Sequence, residues 1–366
     1  MKKILFFIRD LGPGGAEKVL VNLANHMDQS QFDVTVMTLC DEGVNRQFLA
    51  PHIKYRYCFK KLFRGNSYAL AVFSPQLLHK WFIKEKYDIE VAYLEGPSAR
   101  IISGCPDDGT KTVCWIHTQF QTKNRAVKGF RSMAESGRCY SRFDKIIGVS
   151  NNVKGSMLEM YPHLKDMWVL YNTNETNLIR HKAEEPAELD TKSIKLVTVG
   201  RLIPIKGFDR LLRVHNRLKD DYDIHTYILG VGAEQAALEK YVADNGLQDQ
   251  VTFLGYQTNP YKYVSKCDLF ICSSHTEGFS TAATEALIVG TPVCTVEVSG
   301  MKEMLGENNE YGIVTDNNED ALYEGIKKLL DDPALLAHYK KQAQLRGHDF
   351  STENTVKAVE DMLHSL

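Results

Sequence analysis

Two cations framed by glycines, in Gly200-Arg201-Leu202-Ile203-Pro204-Ile205-Lys206-Gly207, make one segment of this 366-residue sequence suited to a phosphate. Arginine offers a planar fork to phosphate oxygens and lysine a compact point charge. The plainer alternative is a solvated loop that carries two cations. A second segment, Glu277-Gly278-Phe279-Ser280-Thr281-Ala282-Ala283-Thr284-Glu285-Ala286-Leu287, sets two carboxylates eight residues apart. Its small residues from Ser280 to Ala283 can open a helix against a close ligand, with free N–H groups aimed at phosphate or sugar oxygens. Glu277 precedes that helix and can reach a sugar hydroxyl. Glu285 lies more than a turn inside, where it can accept from vicinal ribose hydroxyls. A glycosidase pair fits poorly, because eight helical residues rise about 12 Å and such pairs stand about 5–9.5 Å apart. A third segment, Leu11-Gly12-Pro13-Gly14-Gly15-Ala16-Glu17, fits a tight turn that leads into a helix. It fails the dinucleotide fingerprint, since Glu17 stands where the last glycine belongs.

These segments need a frame, and the sequence supplies one. Short apolar runs at 4–8, 34–39, 89–93, 111–116, 145–149 and 168–171 alternate with amphipathic stretches. The rhythm restarts at 194–199 and continues at 224–229, 251–254, 269–272, 292–296 and 312–315. That β-α-β order predicts doubly wound parallel sheets, with ligands at the carboxyl ends of the strands. The chemistry-bearing segments each follow such a run. The acidic, polar stretch 181–193 marks the restart, so two α/β domains are expected, 1–170 and 171–350. A final helix, 351–366, is expected to rejoin the first.

Composition narrows the function. The formal charge of −2 argues against nucleic acid as a partner. The halves differ: residues 1–180 hold 25 Lys/Arg and 17 Asp/Glu, while the remainder holds 19 and 29. Basic residues gather at Lys54–Lys86 and Lys123–Arg142, interleaved with Tyr57, Phe59, Phe63, Trp81, Phe82 and Phe130. This suits an anionic membrane face or a diphosphate-bearing acceptor, with an ordinary solvated helical face as the alternative. The eight cysteines form no CxxC pair and read as small buried hydrophobes of a reducing compartment. The run 4–8 is too short for a signal core, and no stretch approaches the ~20 apolar residues of a membrane span. A cytoplasmic protein is expected, at most peripheral on the inner face of the plasma membrane.

Taken in order, Gly14-Gly15-Ala16-Glu17, Cys114-Trp115-Ile116-His117-Thr118, the Gly200–Gly207 segment and Glu277-x7-Glu285 resemble retaining glycosyltransferases of family 4, bacterial surface-polysaccharide type, with the GT-B fold. The resemblance spans essentially the whole chain. It implies two Rossmann-like domains facing across a cleft, the first binding an acceptor and the second a nucleotide-sugar, a UDP-sugar being expected. It implies that Arg201 and Lys206 neutralise the donor diphosphate, Glu285 holds the ribose and Glu277 holds the transferred sugar. Gly14, Gly15 and Gly200 would lie close to the donor, with Gly278, Phe279, Ser280 and Thr281 beside it. Gly230 and Tyr256 would border the base, and His117 would touch the sugar or the reacting centre. The catalytic set would be His117, Arg201, Lys206 and Glu277.

No metal or other cofactor is implied. Asp221-Tyr222-Asp223 spells a metal-nucleotide DxD but precedes a strand, at the wrong end of the sheet, and no His/Cys cluster has zinc spacing. The hinge is the softest part of the resemblance, because Tyr171-Asn172-Thr173-Asn174 replaces the usual Asn-Gly or Asn-Pro. Expected partners are a nucleotide-sugar and a glycan or lipid-linked saccharide in capsule or lipopolysaccharide assembly. A nucleotide-sugar epimerase and a non-catalytic nucleotide-sugar binding module are the competing readings.

Overall fold

The computed structural model describes residues 1–61, 70–164, 167–189 and 192–366. Phe63 and Arg64 of the first basic stretch lie outside them. The chain divides into two compact units, Met1–Asn174 with Thr352–Leu366, and Glu175–Ser351.

The first unit holds a parallel sheet of β1 (Lys2–Ile8), β2 (Phe32–Cys40), β3 (Lys54–Phe59), β4 (Ile89–Ala92), β5 (Lys111–Ile116), β6 (Lys145–Gly148) and β7 (Met167–Val169). Their order is β3-β2-β1-β4-β5-β6-β7. β1 and β4 lie at the centre of the sheet, with Ile4–Ile8 of β1 and all four residues of β4 buried, as the central strands of a parallel sheet are. The periodicity missed β3, an edge strand whose Lys54, Arg56, Tyr57 and Phe59 are exposed; its cations had suggested a helical face. Helix Thr352–His364 belongs to this unit. Lys2 Nζ donates to the carbonyl of Leu363 at 3.0 Å, and the Asp28 N–H donates to Glu360 Oε1 at 2.7 Å.

The second unit repeats the plan with β8 (Ile194–Val199), β9 (Ile224–Leu229), β10 (Val251–Gly255), β11 (Leu269–Cys272), β12 (Val293–Val296) and β13 (Ile313–Thr315), ordered β10-β9-β8-β11-β12-β13. Both sheets are parallel throughout. In each, the winding direction reverses beside the first strand, at β1/β4 and at β8/β11, and such switch points are where open sheets leave a crevice. The polar stretch that marks the restart is entered by helix Thr176–Ala183, whose Ile179 packs against Tyr261 and Ile288. Its polar face hid that one apolar contact. All eight cysteines are free; seven are buried and Cys58 is half-buried. No helix of the described residues is long and apolar enough to cross a membrane.

Candidate functional site

The second unit's switch point brings two of the sequence segments together. β8 and β11 are neighbours, so the loops that leave their carboxyl ends meet. The first loop closes with a single 3-10 turn, Pro204–Lys206, and Gly207 at φ +61°. A Cβ at Gly207 would stand 2.2 Å from the Ser273 carbonyl oxygen, so only glycine allows this approach. The Ser273 hydroxyl donates to the Lys206 carbonyl at 3.2 Å, and the His275 N–H donates to the Ile205 carbonyl at 2.8 Å.

The two loops then join through side chains. Lys206 Nζ donates to Glu277 Oε1 at 2.5 Å, and Ser274 Oγ donates to the same oxygen at 2.8 Å. Arg201 is exposed and its guanidinium bonds to no described residue. The next residue, Leu202, is fully buried with Phe208, Leu212 and Ile228. Burying such a side chain contributes roughly 1.5–3 kcal/mol, so the apolar residue fixes the loop while its neighbour's cation stays open.

Beyond Glu277, Ser280 caps helix Thr281–Ile288, its Oγ accepting from the Ala283 N–H at 3.3 Å. The first N–H groups of any helix lack partners within it, and here they face the end of the sheet that carries Lys206. Glu285 is buried on this helix and accepts from the Tyr261 hydroxyl at 3.3 Å. Phe279 is buried edge-on to Phe350, 6.1 Å between centroids, and sets the path of the Gly278–Ser280 turn.

The neighbouring loop after β9 stacks on the first. Gly230, at φ +139°, would place a Cβ 1.8 Å from the Gly200 carbonyl oxygen. The Leu202 N–H donates to the Val231 carbonyl at 3.0 Å. After β10, Tyr256 stands 62% exposed, an aromatic face open to a planar ligand. Asp221-Tyr222-Asp223 forms the turn before β9, at the opposite end of the sheet.

In the first unit, Gly14 is the N-cap of helix Gly15–His26 and brings no capping side chain. The loop is tied from outside: the Leu11 N–H donates to the Glu42 carbonyl, and Asn45 donates through its backbone to Leu11 and through Nδ2 to Gly12. His117 follows β5. Its backbone N–H donates to Glu95 Oε2 at 3.0 Å, and its ring lies 4.9 Å from that of Tyr93. Ring Nε2 is shielded and has no partner among the described residues. Burial pushes the imidazole pKa down to about 3. The ring is therefore neutral near pH 7, able to donate or accept one hydrogen bond but not to serve as a cation.

This burial has a pH consequence. His117 in the first unit and His215 in the second, pushed down to about 4 by burial, bind a proton in the unfolded chain near pH 6.5 but not in the native one. Their contribution is complete above about pH 6.5 and lost as pH falls toward their folded values. Each unit should lose up to about 1.4 kcal/mol per pH unit below that point. Denaturant unfolding at pH 7.5, 6 and 5 should show this slope, and His215→Gln should flatten it in the second unit alone.

Sequence reasoning missed Ser274, Tyr261, Asn45 and Glu95. Ser274 lies only three residues before Glu277, and that short spacing was its one available signal. The other three reach partners 22 to 33 residues away in the chain and leave no local trace. Tertiary contact also gathers His79, Glu90 and Cys105 in the first unit, buried with potential ligand atoms within 4.8 Å of one another. His79 Nε2 and Glu90 Oε2 already share a bond of 2.7 Å.

A lysine bonded to a carboxylate thus stands at the switch point of a second Rossmann-like unit, on loops that leave neighbouring strands. Comparison with known proteins gives the family. A model described as Glycosyltransferase Family 4 matches residues 13–177, and one described as Glycosyl transferases group 1 matches residues 180–346. The chain belongs to these glycosyltransferases, with the GT-B fold. A Campylobacter jejuni N-acetylgalactosamine-N,N'-diacetylbacillosaminyl-diphospho-undecaprenol 4-alpha-N-acetylgalactosaminyltransferase is 29% identical, with all of both chains covered. The Rhizobium meliloti lipopolysaccharide core biosynthesis glycosyltransferase LpsD is 27% identical over 88% of this chain and 86% of its own. Among solved structures, Anabaena HepE in complex with UDP and glucose superposes with a TM-score of 0.78 at 19% identity, covering all of both chains. The epimerase and binding-module readings find no support in these likenesses.

Proposed function

We propose that this glycosyltransferase takes a sugar from a UDP-sugar, with retention and without a metal ion, and places it on a lipid-linked or glycan acceptor in surface-polysaccharide assembly. One observation carries the reading: Lys206, on the same loop as Arg201, whose guanidinium bonds to no described residue, meets Glu277 at the switch point, so cation and carboxylate stand ready for adjoining parts of one donor. Arg201 and Lys206 take the diphosphate, Glu277 a hydroxyl of the transferred sugar and Glu285 the ribose. Tyr256 and Gly230 border the base. Gly200, Gly278, Phe279, Ser280 and Thr281 shape the phosphate end. The bond from C1 to the β-phosphate oxygen breaks and its electron pair leaves with the diphosphate. The acceptor oxygen bonds to C1 on the same face, and its proton passes to the departing phosphate oxygen. Two cations, Lys206 held in place and Arg201 open to the ligand, stabilise that developing charge, the largest kind of single contribution an enzyme makes. With both in place, neutralisation needs no divalent ion.

The acceptor reading rests on the first unit. Trp81, Phe73, Phe59 and Tyr57 are exposed beside Lys60, Lys61, Lys80 and Lys84. Aromatic and basic side chains together suit an anionic membrane face at the inner leaflet. The relatives' names point the same way: one acts on a diphospho-undecaprenol-linked saccharide and another in lipopolysaccharide core biosynthesis.

A thermal-shift panel of UDP-glucose, UDP-galactose, UDP-N-acetylglucosamine and UDP-N-acetylgalactosamine tests the donor site. One of them at 100 times its Kd should stabilise the protein by about 2.7 kcal/mol, equally with EDTA, and Glu285→Ala should abolish the shift. No shift with any of the four removes the donor reading. The same protein should float with anionic vesicles at low salt; failure to float removes the membrane contact alone.

A further inference from the structure

Lys206 and Ser274 both bond to Glu277, and both bonds end on Oε1. No described residue bonds to Oε2. One oxygen is thus held by the protein and the other is presented. Ser274 is nearly fully buried, and its own oxygen has a further neighbour in Cys272 Sγ, which donates at 3.6 Å. Burial holds the Cys272 thiol protonated by raising its pKa, so hydrogen bonds run in one direction, from thiol to hydroxyl to carboxylate. The hydroxyl proton of Ser274 is therefore committed to Glu277.

The two partners differ in what a donor would ask of them. Resting on the donor reading above, Lys206 must turn part or all of its charge to the diphosphate when a nucleotide-sugar binds. Ser274 has no such second task, being neutral, buried and committed. We propose that Ser274 is a positioning residue that keeps Glu277 Oε2 aimed at a hydroxyl of the transferred sugar once Lys206 has engaged the diphosphate. The consequence is a division of labour within one loop: Ser274 governs recognition of the sugar and not of the nucleoside diphosphate.

Ser274→Ala separates these parts. UDP itself meets Lys206 and Arg201 but not Glu277, so its Kd, measured by calorimetry, should stay within twofold of the wild-type value. Retained UDP binding also reports that the variant is folded. The Kd of the UDP-sugar selected by the donor panel should rise about tenfold, the scale of one lost hydrogen bond to a charged group, and kcat/KM should fall by a similar factor. In a Glu277→Gln background the same serine substitution should add less than twofold, because the two residues act as one unit. Equal loss of UDP and UDP-sugar binding, or full additivity with Glu277→Gln, overturns the positioning role. Wild-type protein that binds UDP but none of the UDP-sugars is a different result. It removes the donor reading first, and the role of Ser274 with it.

Discussion

Lys206→Met should lower kcat/KM by about a thousandfold while the protein still folds. A single preorganised donor to a developing oxyanion is worth about 10² to 10³ in kcat, and Lys206 contributes a full charge. Its removal has a second effect, because Glu277 loses one of the two groups bonded to Oε1 and keeps only Ser274. The pair is mostly enclosed, with side chains 25% and 12% exposed, so an unpaired carboxylate there has a real desolvation cost. Stability should fall by about 1–3 kcal/mol alongside the kinetic loss. Steady-state kinetics and chemical denaturation of one preparation check both. A kcat/KM within tenfold of wild type would remove Lys206 from the diphosphate.

Arg201→Ala should give the complementary result: a fall in kcat of about 10² to 10³ with no change in stability. Among the described residues the exposed guanidinium has no bond to lose, and Leu202 continues to anchor the loop. Surface substitutions of that kind usually stay within about 0.5 kcal/mol. The kinetic loss is thus free of the structural component that accompanies Lys206→Met. Arg201→Lys should recover only part of the rate, because an ammonium cannot make the parallel pair of bonds a guanidinium makes to phosphate. Unchanged kcat in Arg201→Ala would mean that Lys206 and the helix N-terminus carry the leaving group without it.

Much of this was legible because parallel sheets are buried on both faces and read as short apolar runs. β1, β4, β5, β8, β9 and β11 announce themselves in that way, and the segments that follow them carry Gly14, His117, Arg201 and Glu277. β3 did not, because an edge strand is exposed and Lys54 and Arg56 occupy positions that a central strand would fill with apolar residues. Helix Thr176–Ala183 was hidden for a related reason: one buried contact at Ile179 holds a helix that is otherwise polar.

The sequence by itself determined the repeated β-α-β architecture and which residues follow the strand ends, because burial of apolar strands and the backbone freedom of glycine are local properties of the chain. It also set two cations and two carboxylates within loops of the second unit. Only the tertiary structure decided that Lys206 and Glu277, 71 residues apart, share a bond, that Ser274 shares the same oxygen, and that Arg201 bonds to no described residue. Those outcomes depend on β8 lying beside β11 and on Gly207 pressing against Ser273. Strand order and close backbone approach are set by the packing of the whole unit, and no stretch of sequence encodes them alone.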